Sequence, residues 1–158
     1  MQKRIYIETT IPSAYYTLRM DEGSLIRQRL TRQWWEEYAD QFILTSSIAV
    51  ATELRRARSK GTQERLKLLE GVELFASTSE IQQIAQAYID KLIMPQDPLG
   101  DALHLAIASF HKIDALLTWN LAHIANPNKF DFITRINREL GLPMSLLTTP
   151  LNYLEGTI

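Results

Sequence analysis

Short runs of β-branched and aromatic residues alternate along this chain with longer stretches of helical periodicity, and that alternation limits the folds open to it. Residues 4–7 read as a strand ending at Glu8, 42–44 as a second buried strand, 72–75 as a third, 114–118 as a fourth and 145–148 as a last short one. Between them, Thr10 and Pro12 start a helix, and residues 24–38 form another with Leu25, Leu30, Trp34 and Trp35 inward. Ser46 or Ser47 caps the helix carrying Glu53, Gly61 interrupts, and residues 63–69 are helical again. Residues 79–92 carry Ile81, Ile84, Ala85, Tyr88, Ile89 and Leu92 at core spacing, and a helix over 130–140 stops at Gly141. Strands separated by helices predict βαβ units: an α/β fold, a three-layer α/β/α sandwich with a mostly parallel central sheet of four to five strands. With 158 residues and no internal repeat or linker, the expectation is a single domain over 1–158.

The stretch from Asp101 to Asn120, DALHLAIASFHKIDALLTWN, is the richest in chemistry. Asp97 followed by Pro98 predicts a helix start and puts Asp101 in the first turn. Leu103, Ala106, Ile107 and Phe110 then mark an amphipathic face, and Leu116–Leu117 the heart of a strand that ends on Asn120. In an open α/β sheet, ligands collect where strands end and the next helices begin. Four oxygen donors are expected on that edge: Glu8, Glu53, Asp101 and Asn120. Three neighbouring carboxylates repel unless a cation neutralises them, and hard oxygen ligands without thiolate suit Mg2+ or Mn2+. Each residue also has a plain structural reading, as a surface charge, a solvated helix residue, a favourable helix-start charge or a turn former.

The composition excludes several classes. There is no cysteine, hence no disulfide frame and no thiolate site, and no apolar run of the roughly 20 residues a membrane helix needs. No membrane association and a cytoplasmic location are the expectation. No GxGxxG or GxxxxGK[ST] loop is present, which weakens a nucleotide-binding reading. The net charge of −1 argues against a uniformly basic nucleic-acid surface. Arg55, Arg56, Arg58, Lys60, Arg65 and Lys67 nevertheless concentrate positive charge, as a phosphate grip or as a solvated helix face. His104 stands three residues after Asp101, on the same helix side, either as a metal partner or as a structural histidine bonded to backbone or a carboxylate. His123 belongs to the proposed edge, and His111 to a helix end that favours a cation. Tyr15 and Tyr16 either stack bases or pack, and of Trp34 and Trp35 one faces inward with its neighbour partly exposed.

IYIETT, ATELRRA, DALHLAIA and LLTWNLAHI, in this order and spacing, resemble the PIN-domain nucleases, in particular VapC-type toxins of toxin–antitoxin pairs. The resemblance runs from Arg4 to about Thr149 and is closest to a subgroup with Glu first and Asn fourth among the acidic positions. It implies that Glu8, Glu53, Asp101 and Asn120 hold Mg2+ or Mn2+ and hydrolyse RNA phosphodiester bonds, with no side-chain nucleophile. It also implies an RNA substrate, a cognate antitoxin protein and a homodimer. Thr9, Thr10 and Thr118 are expected to orient the acids, and His123, Arg55 and Arg56 to meet substrate. Where the family commonly has Asp at the first and fourth positions, this chain has Glu8 and Asn120. That departure motivates the alternative of a catalytically weak or inactive PIN-fold protein acting as an RNA- or protein-binding module.

Overall fold

The computed structural model describes residues 2–91 and 100–154. Strands β1 (Lys3–Ile7), β2 (Phe42–Ser47), β3 (Glu73–Phe75), β4 (Ala115–Leu117) and β5 (Leu146–Thr148) form one sheet in the order β3-β2-β1-β4-β5. Every pairing is parallel. The helices are α1 (Thr10–Tyr15), α2 (Glu22–Glu37), α3 (Ile48–Arg56), α4 (Thr62–Lys67), α5 (Ser79–Asp90), α6 (Asp101–Phe110), α7 (Pro127–Glu139) and α8 (Pro150–Leu154). The fold class expected from the alternation is the one observed.

Period-two alternation sorts the core into its layers. Ile5, Ile7, Ala115 and Leu117 pack with Ile11, Leu30, Trp34, Trp119 and Leu154, under α1, α2 and α8. Tyr6 and Leu116 face the other way, onto Val50, Leu54, Tyr88, Leu105 and Ile133 of α3, α5, α6 and α7. Strand β1 is central: the chain steps from it to β2 on one side and later returns to β4 on the other. The strand order reverses there, so the carboxyl ends of β1 and β4 border the crevice where such sheets bind ligands.

Several expectations need correction. The buried part of β2 is not residues 42–44, since Ile43 is exposed; it is the polar end, Thr45, Ser46 and Ser47. Their hydroxyls make this possible: Thr45 donates to the Ile5 carbonyl at 2.8 Å and Ser46 to the Ile7 carbonyl at 2.7 Å. Ser47, not Ser46, caps α3, accepting from the Val50 N–H at 3.1 Å. Helix α6 is not amphipathic: Ala102 to Ser109 are all buried, because the helix lies between the sheet and α5, and Phe110 stands half-exposed at its end. Leu25 is exposed rather than inward, one turn ahead of the part of α2 that reaches the sheet. Trp34 is fully buried and Trp35 half-buried.

Helix α7 starts earlier than its apolar spacing suggests, with Asn126 capping through its side chain and Pro127 at the first position. It ends as expected, with Gly141 at φ +72°. His111 does sit at the end of α6, beside the Arg4 guanidinium. Burial and the Arg4 charge push its pKa down, while Arg4 itself donates to the His111 carbonyl. Leu92 and the expected cap Asp97–Pro98 lie outside the described residues. Helix α6 as described begins at Asp101, and Gly100 before it offers no side-chain cap.

Candidate functional site

Glu8 sits one residue beyond β1, and its N–H still pairs with the Leu117 carbonyl at 3.1 Å. Its side chain is buried, and Oε1 accepts from the Thr10 N–H at 3.0 Å, the Thr118 hydroxyl at 2.7 Å and the Thr10 hydroxyl. The Thr10 oxygen also accepts from the Trp119 N–H at 2.8 Å, tying the ends of β1 and β4 together. The two threonines thus orient one carboxylate oxygen, and the other takes no hydrogen bond among the described residues.

Glu53 projects from α3 towards α6. Its Oε1 lies 2.8 Å from His104 Nε2, and its Oε2 accepts from the Thr9 hydroxyl at 2.5 Å. His104 is buried, and its Nδ1 lies 2.7 Å from the Tyr6 hydroxyl, itself 2.8 Å from Ser47 Oγ. Burial alone would depress the imidazolium, but the Glu53 hydrogen bond and the charges of Glu8, Glu53 and Asp101 hold its pKa above the ordinary value. With both ring nitrogens protonated the chain of donors runs one way, from Nε2–H to Glu53, and from Nδ1–H to Tyr6 and on to Ser47. Of the two readings of His104 from sequence, the geometry matches the structural histidine bonded to a carboxylate.

Asp101 opens α6, and its Oδ1 accepts from the Asn120 amide at 2.7 Å. The Asn120 oxygen accepts from the His123 N–H at 3.0 Å, so both ends of this amide are engaged within the chain. Burial pushes the Asp101 carboxyl up; His123, His104 and the Asn120 amide oppose this, and the Glu53 charge adds to it. His123 is half-buried, with Nδ1 3.3 Å from the Lys129 ammonium. Arg56 lines a groove with Glu53, Thr52 and Leu103, and Arg55 and Arg56 share an open surface with Arg58. Arg65 leaves the expected basic run: it is buried and donates to Ser59 Oγ at 2.6 Å and the Tyr16 carbonyl at 2.8 Å. Tyr15 and Tyr16 pack on one another, with ring centroids 4.7 Å apart, and Arg32 lies over both rings.

The structure therefore brings the four expected donors to one edge in two linked groups, Glu8 with its threonines and Glu53 with His104, beside an Asp101–Asn120 pair. Among the described residues no three His, Asp or Glu side chains close on a single point as a metal cage would. What remains is an edge at which, among the described residues, the second oxygens of Glu8 and Asp101 take no hydrogen bond. That donor set fits a hard ion that keeps most of its waters and takes only one or two carboxylates, as Mg2+ does. Tyr6 and Ser47 were not among the expected site residues. The signal was present: a tyrosine on the buried face of a central strand must find a partner for its hydroxyl.

No protein-family model matches the chain, and no curated protein matches it. Among solved structures it is similar to a chain in the crystal structure of VapBC2 from Rickettsia felis bound to a DNA fragment from their promoter. The TM-score is 0.58 at 16% identity, over 92% of this chain and 98% of that one. At that identity the likeness is one of architecture, and it extends over nearly the whole length of both chains. The chain has a PIN-like α/β fold.

Proposed function

We propose that this protein is a divalent-metal-dependent endoribonuclease and the toxin half of a toxin–antitoxin pair. One observation carries the reading: Glu8, Glu53 and the Asp101–Asn120 pair, from three separate parts of the sequence, lie along the strand-reversal edge of a PIN-like fold. The structural likeness to VapBC2 supports the toxin assignment and an antitoxin protein as partner. A homodimer belongs to the same proposal. Among the described residues no helix is long and apolar enough to cross a membrane.

Glu8 and Asp101 would hold the ion through their unengaged oxygens, with Glu53 and Asn120 beside them. A bound Mg2+ or Mn2+ would lower the pKa of a coordinated water and offset charge on the scissile phosphate. The protein's own part is positional. Thr10 and Thr118 fix the Glu8 carboxylate, His104 and Thr9 fix Glu53, and Asn120 fixes Asp101. A protonated His104 would lessen the repulsion among the three neighbouring acids.

The test adds manganese to purified protein with single-stranded RNA of mixed sequence and compares it with Asp101→Asn. The wild type is expected to cut and the variant to lose at least about a hundredfold in rate, as losing a preorganised electrostatic group typically costs. Equal cleavage by both, or by neither, sinks the reading. A second reading, a binding module with little catalysis, is favoured by Asn120, whose amide is spent on Asp101 and His123. In that case calorimetry finds weak manganese binding that Glu53→Gln leaves unchanged.

A further inference from the structure

A second polar cleft opens beside the acid rim, between α1 and α2. It has a volume of about 260 Å³ and is lined by Thr10, Ser13, Thr17, Arg19, Arg27 and Trp119 among others, with no carboxylate in its wall among the described residues. Thr10 and Trp119 belong to both places: the Thr10 hydroxyl holds Glu8, and Trp119 precedes Asn120. Cleft and rim are therefore neighbours, the cleft offering the Arg27 guanidinium and the rim its carboxylates.

The side chains divide into committed and uncommitted groups. The Trp119 indole is fixed by its N–H bond to Thr31 Oγ1 at 2.8 Å and is almost wholly buried. The Arg27 guanidinium lies over that ring, 5.8 Å from its centroid. The indole face is thereby occupied by a cation rather than offered to a base. Arg19 is engaged by Asp21 at 3.1 Å, and Thr17 accepts from the Arg19 N–H at 3.1 Å. The Arg27 guanidinium donates no hydrogen bond among the described residues, and neither does the Ser13 hydroxyl. A planar fork of donors, stacked in place and unspent, is what recognises a phosphate in two-point fashion. The volume is below the roughly 300–1,000 Å³ of pockets that enclose whole drug-sized ligands, and it suits one charged group of a longer strand.

We propose that Arg27, with Ser13 beside it, holds a backbone phosphate of the RNA strand next to the segment that lies over the acid rim. The inference rests on the ribonuclease reading and adds where the strand is gripped. A polyanion laid across three acids is repelled there, and a cation in the adjoining cleft offsets that repulsion and sets the register of the strand.

The test measures binding of a fluorescein-labelled single-stranded RNA by anisotropy, with manganese, in the uncut Asp101→Asn background, from about 50 to about 200 mM salt. Arg27→Gln is expected to bind about tenfold more weakly at the low end, and its slope of log affinity against log salt should fall by about 0.7, one phosphate contact. Arg27→Lys keeps that slope. Arg29→Gln, the same charge change on an exposed residue of the same helix, also keeps it and serves as the control. Ser13→Ala weakens binding without changing the slope. Thermal melts confirm that the variants are folded, as expected for an exposed arginine. If wild-type protein cuts RNA while Arg27→Gln matches Arg29→Gln in affinity and slope, the phosphate site is overturned and the ribonuclease reading stands. If neither parent nor variants bind RNA, the phosphate site falls, and the ribonuclease reading falls with it only where wild-type protein also fails to cut.

Discussion

Tyr6 serves two layers at once. Its neighbours Ile5 and Ile7 face α1, α2 and α8, while its own ring points to α3 and α6 and its hydroxyl meets Ser47 and His104. Tyr88 repeats the pattern away from the site. Its hydroxyl donates to Asn137 Oδ1 and lies 3.1 Å from Ser109 Oγ, linking α5, α7 and α6. Burial pushes the Tyr88 phenol up to about 12, against its bonds to Ser109 and Asn137. A pKa raised in the folded state gives stability that is present below the unfolded value near 10 and is lost as pH rises towards 12. Urea unfolding is therefore expected to show a loss of stability across that window. Tyr88→Phe should remove up to about 2.7 kcal/mol of the pH-dependent part, by the cost of two pKa units. A pH dependence identical in wild type and variant would refute this. At neutral pH the same variant leaves Asn137 short of a partner, at a cost of about 1–3 kcal/mol.

At the scale of elements, the join between β2 and α3 does the most for the site. Ser47 ends the strand, caps the helix and closes the Tyr6–His104–Glu53 chain, so one hydroxyl aligns the helix that carries Glu53. Ser47→Ala is expected to lower stability by about 1–3 kcal/mol, a lost cap plus a buried phenol left with His104 as its remaining partner. Combined with Tyr6→Phe in a double-mutant cycle, a coupling of about 0.5–3 kcal/mol should appear, and strict additivity would mean the two hydroxyls do not interact. Helix ends were unevenly legible. Gly141 announced the end of α7 because a left-handed residue is a local requirement, met here at φ +72°. The start at Asn126–Pro127 was passed over because the first apolar residue, Phe130, comes later and is itself half-exposed. Helix α8 has no period long enough to read; it exists because Leu154 is buried on the core and Tyr153 packs against Trp34 and Phe42.

Over the whole molecule, the acids lie at one rim of a sheet whose two faces are closed by helices, leaving the carboxyl ends of β1 and β4 as the place for ligand. If the rim takes manganese, the ion stabilises the native state by mass action. At about a hundred times its Kd that is about 2.7 kcal/mol, or roughly 5–10 °C in Tm for a chain of 158 residues. The rise should vanish in Asp101→Asn and Glu8→Gln, measured by calorimetric melts with and without the metal. No rise in the wild type would favour the binding-module reading.

The sequence by itself determined the layers and the edge. Alternation within each strand decides which face a residue takes, and Glu8, Asp101 and Asn120 stand at element ends, so local periodicity was enough to place them on one side of an α/β sheet. Only the tertiary structure decided who meets whom. That Glu53 faces His104, that the Asn120 amide turns to Asp101, that Arg65 is buried against Tyr16 and Ser59, and that Arg27 lies over Trp119 all follow from the strand order and from how the helices seat on the sheet. Periodicity is a property of neighbours in sequence, whereas these pairs join residues 6 to 92 positions apart, for example Glu53 with His104 across 51.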